Sequence, residues 1–312
     1  MTNRSDRATL PQVSDALFLT DSGIETDLIF NGEWELPEFA AFVLLDDPAG
    51  YVALREYFLR HVDVADQFGC GVILEAPTWR ASRDWGDRLG YWTAHLRSVN
   101  ERAISMLTDI RRAHASSQIV ISGCIGPRSD AYEPGARMTA AEAERYHREQ
   151  IDSLGSTEAD LVHAMTIGYA DEAIGITRAA LRANLPVVVS FTTETDGRLP
   201  DGTSLADAIG AVDRATGSGP AYYGINCSHP THFGPAFPAD DGGGRRIRSI
   251  RANASSKSHA ELDESQTLDA GDAAELAGLY RSLRADHPQL TILGGCCGTD
   301  ASHVEAIARA CL

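Results

Sequence analysis

The sequence predicts a single α/β barrel of eight strand–helix units, and three observations carry that prediction. Short apolar runs rich in β-branched residues recur eight times, segments with helical spacing lie between them, and no Pro/Ser-rich linker or composition break divides the 312 residues. Near-continuous apolar strands joined by long crossovers imply a parallel sheet covered by helices. Eight such units at this length suit a closed barrel. An open, doubly wound sheet would carry a Gly-x-Gly-x-x-Gly phosphate loop after its first strand; here that turn reads Asp21-Ser22-Gly23-Ile24-Glu25-Thr26. One domain spanning 1–312 is therefore expected, with 1–14 as a flexible N-terminal tail.

The eight strands are expected at 16–21, 72–76, 119–126, 160–167, 185–192, 221–227, 246–253 and 290–295. Between the first two, Tyr51, Leu54, Tyr57, Phe58, His61, Val62 and Ala65 recur at helical spacing, as do Leu96, Val99, Ala103, Met106, Leu107 and Ile110 between the second and third. The longest irregular pieces are 235–246, where Gly242–Gly244 suggest mobility and leave a lid or a surface insertion open, and the polar stretch 254–271.

Composition narrows the function. Apolar residues make up 43% of the chain and charged residues 23%, ordinary globular values. Acidic residues outnumber basic ones 44 to 27, for a formal charge of −17, which argues against nucleic acid or an anionic membrane as partner and for a small molecule. No apolar run approaches the ~20 residues of a membrane span, and the opening residues lack the apolar stretch of a secretory signal, so a cytoplasmic setting with reduced thiols is expected.

In a barrel of this kind the active site forms at the C-terminal ends of the strands. Asp21 ends the first expected strand, Glu75 the second, Cys124 the third, Ser190 and Thr192 the fifth, Cys227 the sixth and Cys296-Cys297 the eighth. Cys227, Cys296 and Cys297 thus converge on one rim and are candidate ligands for zinc, whose catalytic sites take three protein ligands and keep one position open. Gly294-Gly295 and Gly298 allow the bend that two adjacent ligands need. Free cysteine is also a common buried hydrophobe and Cys-Cys a common redox pair, so spacing alone leaves those readings standing. His229 and His232 would supply nitrogen ligands and point to hydrolytic zinc chemistry. Cys70, Cys124 and Cys311 have no partner spacing and read as packing residues.

Gly224-Ile225-Asn226-Cys227 and Gly294-Gly295-Cys296-Cys297-Gly298-Thr299 with His303-Val304 resemble the zinc signatures of the homocysteine S-methyltransferase family. The likeness extends along the chain. Asp21-Ser22-Gly23 resembles that family's Asp-Gly-Gly opening, residues 75–82 its second-strand motif, Gly123-Cys124-Ile125-Gly126-Pro127 its Gly-Ser-Ile-Gly-Pro, and Ser190-Phe191 with Gly197-Arg198-Leu199 and Gly202-Thr203 its fifth-strand pattern.

The resemblance implies an eight-unit barrel and transfer of methyl from a cationic onium donor to the thiol of homocysteine, giving methionine. It implies Zn2+ held by Cys227, Cys296 and Cys297, Asp21 and Gly23 beside the bound amino acid, and Asn226 as an orienting neighbour. Three thiolate ligands keep electron density on the substrate sulfur, which suits alkyl transfer better than water activation. Trp79 is a candidate for attracting the cationic donor through its ring.

Two positions depart from the pattern. Met165 stands where the family's fourth-strand Phe-Glu-Thr-Ile-Pro carries the Glu that binds the amino group of homocysteine. Losing such a charge-assisted contact costs about 1.5–3 kcal/mol. Asp21, Glu25, Glu75 and Glu194 are candidate replacements, and an altered thiol acceptor or a non-catalytic zinc- or thiol-binding role is the alternative. Arg80 stands where relatives carry Gln or Tyr. A cation there would repel a cationic donor, which disfavours betaine and leaves S-methylmethionine or S-adenosylmethionine.

Overall fold

The computed structural model describes residues 10–132, 135–263 and 267–312. The eight expected strands are all present, as β1 (Phe18–Thr20), β2 (Gly71–Glu75), β3 (Ile119–Ile125), β4 (Leu161–Ile167), β5 (Val187–Phe191), β6 (Tyr222–Asn226), β7 (Ile247–Ala252) and β8 (Ile292–Gly295). Every neighbouring pair is parallel, and β8 closes on β1 through Phe18↔Ile292 and Leu19↔Leu293, giving a closed barrel in sequence order. The barrel is the predicted (β/α)8 architecture.

Helices pack outside it: α1 (Ile24–Thr26), α2 (Pro48–Phe68), α3 (Arg83–Leu89), α4 (Thr93–Ala113), α5 (Ala140–Gly155), α6 (Ala170–Arg182), α7 (Leu205–Thr216), α8 (Pro230–Phe233), α9 (His259–Asp263), α10 (Ala273–Asp286) and α11 (Ala301–Cys311). Their ends carry the expected chemistry. Asp47 caps α2 by accepting from Gly50 N, Thr139 and Glu142 form a capping box on α5, and Gly69 closes α2 in the left-handed region at φ 65°.

The sixth crossover is where the alternation weakens. After β6 only the four-residue α8 and short 3-10 turns precede β7, because Pro230, Pro235, Pro238 and the three successive glycines cannot sustain a longer helix. Residues 235–246 run to the N-terminal end of the barrel. Arg246 Nη2 donates to Pro220 O at 2.7 Å and Gln289 Nε2 to Gly244 O at 3.1 Å, both partners preceding strands. The segment thus starts at the rim, where Ala236 packs on Gly197 of the loop after β5, and ends opposite the strand ends that carry the cysteines.

Inside the barrel the inward positions form layers. Phe18, Ile73, Val120, Leu161, Val188, Tyr222 and Ile292 fill the lower one, with Leu10 packed beneath. Of the expected tail 1–14, residues 1–9 lie outside the described ones; Pro11–Val13 form a 3-10 turn with Gln12 fully buried. Two residues further along the strands the inward face turns polar, with Glu75, Ser122, His163, Ser190 and Gly224. Glycine is required in this layer. A Cβ on Gly224 would stand 2.3 Å from Ser190 Oγ and one on Gly294 1.8 Å from Thr20 Oγ1.

These contacts separate two glycines. Gly294→Ala should destabilise the fold by about 1–3 kcal/mol through overpacking. Gly278→Ala, inside α10 with open space around it, should stabilise by about 0.5–1 kcal/mol. Chemical denaturation of both variants checks the pair, and a tolerated alanine at 294 would contradict the packing described.

Candidate active site

The C-terminal mouth of the barrel holds a cleft lined by Asp21, Gly23, Glu75, Trp79, Asn226, Cys227, Cys296 and Cys297, so the three expected metal ligands and the five expected substrate-side residues are brought to one place. The sulfurs of Cys227, Cys296 and Cys297 lie within 4.8 Å of one another, with Cys227 and Cys297 3.6 Å apart. Two sulfurs bound tetrahedrally at ~2.3 Å from one ion would stand about 3.8 Å apart, so the trio fits a metal with little adjustment. Cys227 is nearly buried and Cys297 exposed, which opens the group toward the cleft and solvent.

Local backbone brings the sulfurs together. Cys227 follows β6 in the left-handed region at φ 59°, which turns the chain sharply as the strand ends. Its carbonyl accepts from Tyr132 Oη at 2.6 Å and Asn253 Nδ2 at 3.0 Å, and its amide donates to Arg251 O at 3.1 Å. Cys296 N donates to Ala252 O, and its carbonyl accepts from Thr299 Oγ1 at 2.7 Å. Gly23 packs directly on this turn, since a Cβ there would meet Cys296 O at 2.3 Å.

Asn226 joins two strand ends. Its Oδ1 accepts from Thr166 N at 2.7 Å, and its Nδ2 donates to Thr166 Oγ1 at 2.9 Å and to Cys296 Sγ at 3.8 Å. Thr166 is itself in the left-handed region at φ 61°, a costly conformation for a β-branched residue that these bonds hold in place.

The thiols share charge unequally. Hydrogen bonds from Cys227 and Cys297, and then the positive Arg251, hold Cys296 well below the usual thiol range. Bonding to that sulfur pushes Cys227 up, and bonding to Cys227 and Cys296 does the same to Cys297. A bound dication would favour the ionised form of all three.

Beneath them lies a charged layer that the sequence reading missed. Arg251, from β7, reaches Asp21 Oδ1 at 2.5 Å and Glu75 Oε1 at 3.8 Å, and donates to Gly295 O and Ser22 O. Glu75 also meets His163 Nδ1 at 2.6 Å, and His163 Nε2 meets Ser190 Oγ at 2.6 Å. His163 and Arg251 hold Glu75 below its usual range, whereas burial pushes Asp21 up to about 7 against the pull of Arg251. The signal available in the sequence was weak, since β7 carries two arginines, Arg248 and Arg251, and only Arg251 lies at the rim end of the strand.

Other expectations resolve differently. Met165 is buried, with Cys124 donating to its Sδ at 3.4 Å, so the β4 side of the cleft is a sulfur-lined apolar wall. Arg80 does not face the cleft. It is buried, with its guanidinium 3.9 Å from the Trp79 ring and 3.6 Å from the Trp85 ring, which corrects the expectation that it would repel a donor by contact. His229 and His232 stand outside the thiol group. They line a neighbouring hollow with Glu194, where His229 Nδ1 caps α8 and His232 donates to Ser256 O at 2.9 Å.

Ser22 occupies its place through a buried chain of hydrogen bonds. Its amide donates to Tyr57 Oη at 3.0 Å, its hydroxyl meets Tyr57 Oη at 3.2 Å and His61 Nε2 at 2.9 Å, and His61 Nδ1 meets Tyr57 O at 2.9 Å. Every hydrogen has an acceptor only if Tyr57 donates to Ser22, Ser22 to His61 Nε2 and His61 Nδ1 to the carbonyl. That arrangement needs a neutral imidazole.

A model of the family described as homocysteine S-methyltransferase matches residues 21–311. No curated protein matches the chain by sequence. Among solved structures, the metallated form of the homocysteine methyltransferase MmuM from Escherichia coli superposes with a TM-score of 0.74 at 19% identity, covering 95% of this chain and 96% of that one. Its oxidized form gives 0.75 at 19% identity, with 98% and 99% covered. At this identity the likeness to these structures shows a common fold. Among the described residues no helix is long and apolar enough to cross a membrane.

The buried imidazole gives a pH test. Burial pushes His61 down to about 4, from ~6.5 in an unfolded chain. Between those values the unfolded state binds a proton that the folded state refuses, so this group's contribution to stability rises with pH and is lost as pH falls from about 6.5 to 4. His61→Leu removes that dependence. The stability advantage of the wild type over the variant should shrink by about 2–3 kcal/mol between pH 7 and pH 4 in denaturant titrations; a constant difference would refute a neutral His61.

Proposed function

The chain belongs to the homocysteine S-methyltransferase family and is a methyltransferase, and from that premise we propose that it transfers a methyl group from a sulfonium donor to the thiol of homocysteine, forming methionine, with Zn2+ bound by Cys227, Cys296 and Cys297. The observation that carries this reading is the thiol trio at the mouth of the barrel, flanked by Asn226 and packed on Gly23. A donor set of three sulfurs suits alkyl transfer, whereas nitrogen and carboxylate sets suit water activation, and neither His229 nor His232 belongs to this group.

When bound, zinc would take up the acceptor thiol as a thiolate, the form that acts as nucleophile. The chain's own residues then set geometry. Asn226 fixes the Cys296 side of the trio, Arg251 and the amide of Glu75 fix the carboxylate of Asp21 beside the acceptor, and Gly23 lets the first-strand turn approach the thiols closely. Holding the donor methyl in line with the acceptor sulfur is worth on the order of several kcal/mol.

Trp79 is the aromatic residue on the cleft wall among those described, and the guanidinium of Arg80 already stacks on its ring. Quaternary ammonium groups are typically held in cages of aromatic rings. A single partly occupied indole does not make a cage, which supports S-methylmethionine or S-adenosylmethionine over betaine.

Cys296→Ser should lose the metal and methionine formation together. Zinc content per chain and product formation with a panel of the three donors, on reduced zinc-loaded protein, measure both; stoichiometric zinc with full activity would overturn the assignment. Cobalt substitution should give intense sulfur-to-metal bands in the wild type, and their absence would indicate a nitrogen or oxygen site instead.

A further inference from the structure

An amino-acid thiol brings an ammonium group into the cleft, and a cation leaving water needs an anion that is not already neutralised. Three carboxylates line the cleft. Asp21 is occupied by Arg251 at 2.5 Å and by the amide of Glu75 at 2.9 Å. Glu75 is occupied by His163 at 2.6 Å, with Arg251 3.8 Å away. Glu25, on the short helix that follows Gly23, has no ion pair and no hydrogen bond to another residue's side chain among the described residues. Arg80 attracts it only from a distance, since its guanidinium is held between Trp79 and Trp85.

Burial above all pushes the Glu25 carboxyl up to about 7, so its ionised form is costly in this cleft and a ligand cation beside it would relieve that cost. Glu25 lines the same cleft as the thiol trio, on the turn that follows Gly23. The acceptor's sulfur belongs at the thiol trio, and in homocysteine only three carbons separate sulfur from nitrogen. The donor must approach the sulfur from the opposite side for in-line transfer.

We propose that Glu25 receives the ammonium group of the acceptor and makes the site selective for aminothiols, in place of the carboxylate that Met165 cannot provide. The inference rests on the thiol-acceptor reading above and specifies which residue recognises the acceptor.

The test is thiol binding to the cobalt-substituted protein, read from its sulfur-to-cobalt bands, for homocysteine and for 4-sulfanylbutanoate, which lacks the amino group. The wild type should prefer homocysteine by roughly tenfold or more. Glu25→Gln should reduce that preference to near parity by weakening homocysteine alone, and Glu25→Asp should retain part of it. Unchanged 4-sulfanylbutanoate binding shows that the variant cleft is intact. A wild-type ratio near one, a ratio that survives Glu25→Gln, or loss of both thiols' binding in Glu25→Gln and Glu25→Asp alike overturns the assignment. Failure to form methionine with any donor counts against the transfer reaction, whereas the thiol ratio decides Glu25 by itself.

Discussion

The arrangement of the cleft depends on one buried cation. Arg251, 3% exposed, lies on β7 and reaches residues on β1, β2 and β8 or their loops, so a single guanidinium spans much of the barrel's circumference just below the thiols. Without it, Asp21 and Glu75 would be adjacent buried anions, an arrangement that costs several kcal/mol or protonates one of them. Its planar fork also meets backbone carbonyls at the ends of β1 and β8, which is where the first-strand turn and the paired cysteines must stay in register. Arg251 further favours the thiolate of Cys296. One residue therefore joins the mechanical closure of the barrel mouth to the charge state of the group that sits on it.

Above that layer, geometry is imposed through the backbone. Gly23 has no side chain because Cys296 O occupies the space, Cys227 adopts a left-handed turn, and Thr166 does the same under the amide of Asn226. The last two are conformations that a free chain would avoid, and each is held by hydrogen bonds from a neighbouring strand or loop. Both sit at strand ends beside the sulfurs, where side chains must be aimed. The closed parallel barrel makes this possible, since eight strand ends converge on one rim and can brace one another across it.

Much of this was legible in the sequence, for physical reasons. Strands buried on both faces read as continuous apolar runs, so all eight could be placed, and a rim position follows from the end of each run. The three cysteines were legible because their spacing is otherwise unexplained. Arg251 was not, because one of two arginines in a strand gives no hint of the two carboxylates that neutralise it from distant strands. Arg80 misled for a related reason. Its position beside the cleft follows from sequence, but its burial between two indoles, one of them five residues along on α3, depends on tertiary packing. The segment 235–246 is polar and glycine-rich wherever it runs, and only contacts such as Ala236 on Gly197 at the rim and Arg246 on Pro220 at the opposite end show its course.

The same reasoning explains how the barrel tolerates Met165. A carboxylate at that position would lie against the buried Cys124, whose thiol burial already drives away from ionisation. Two soft sulfurs in contact instead make a dry wall on the β4 side. The acidic groups then cluster on the β1 and β2 side, where Arg251 pairs with two of them and Glu25 has no ion pair among the described residues. Selectivity in such a cleft comes from the asymmetry between its walls. If Glu25 receives the acceptor's ammonium group as proposed, the apolar face would exclude water from one side while the acidic face drew the cationic end of the ligand to the other, orienting the molecule before its sulfur reached the thiol group.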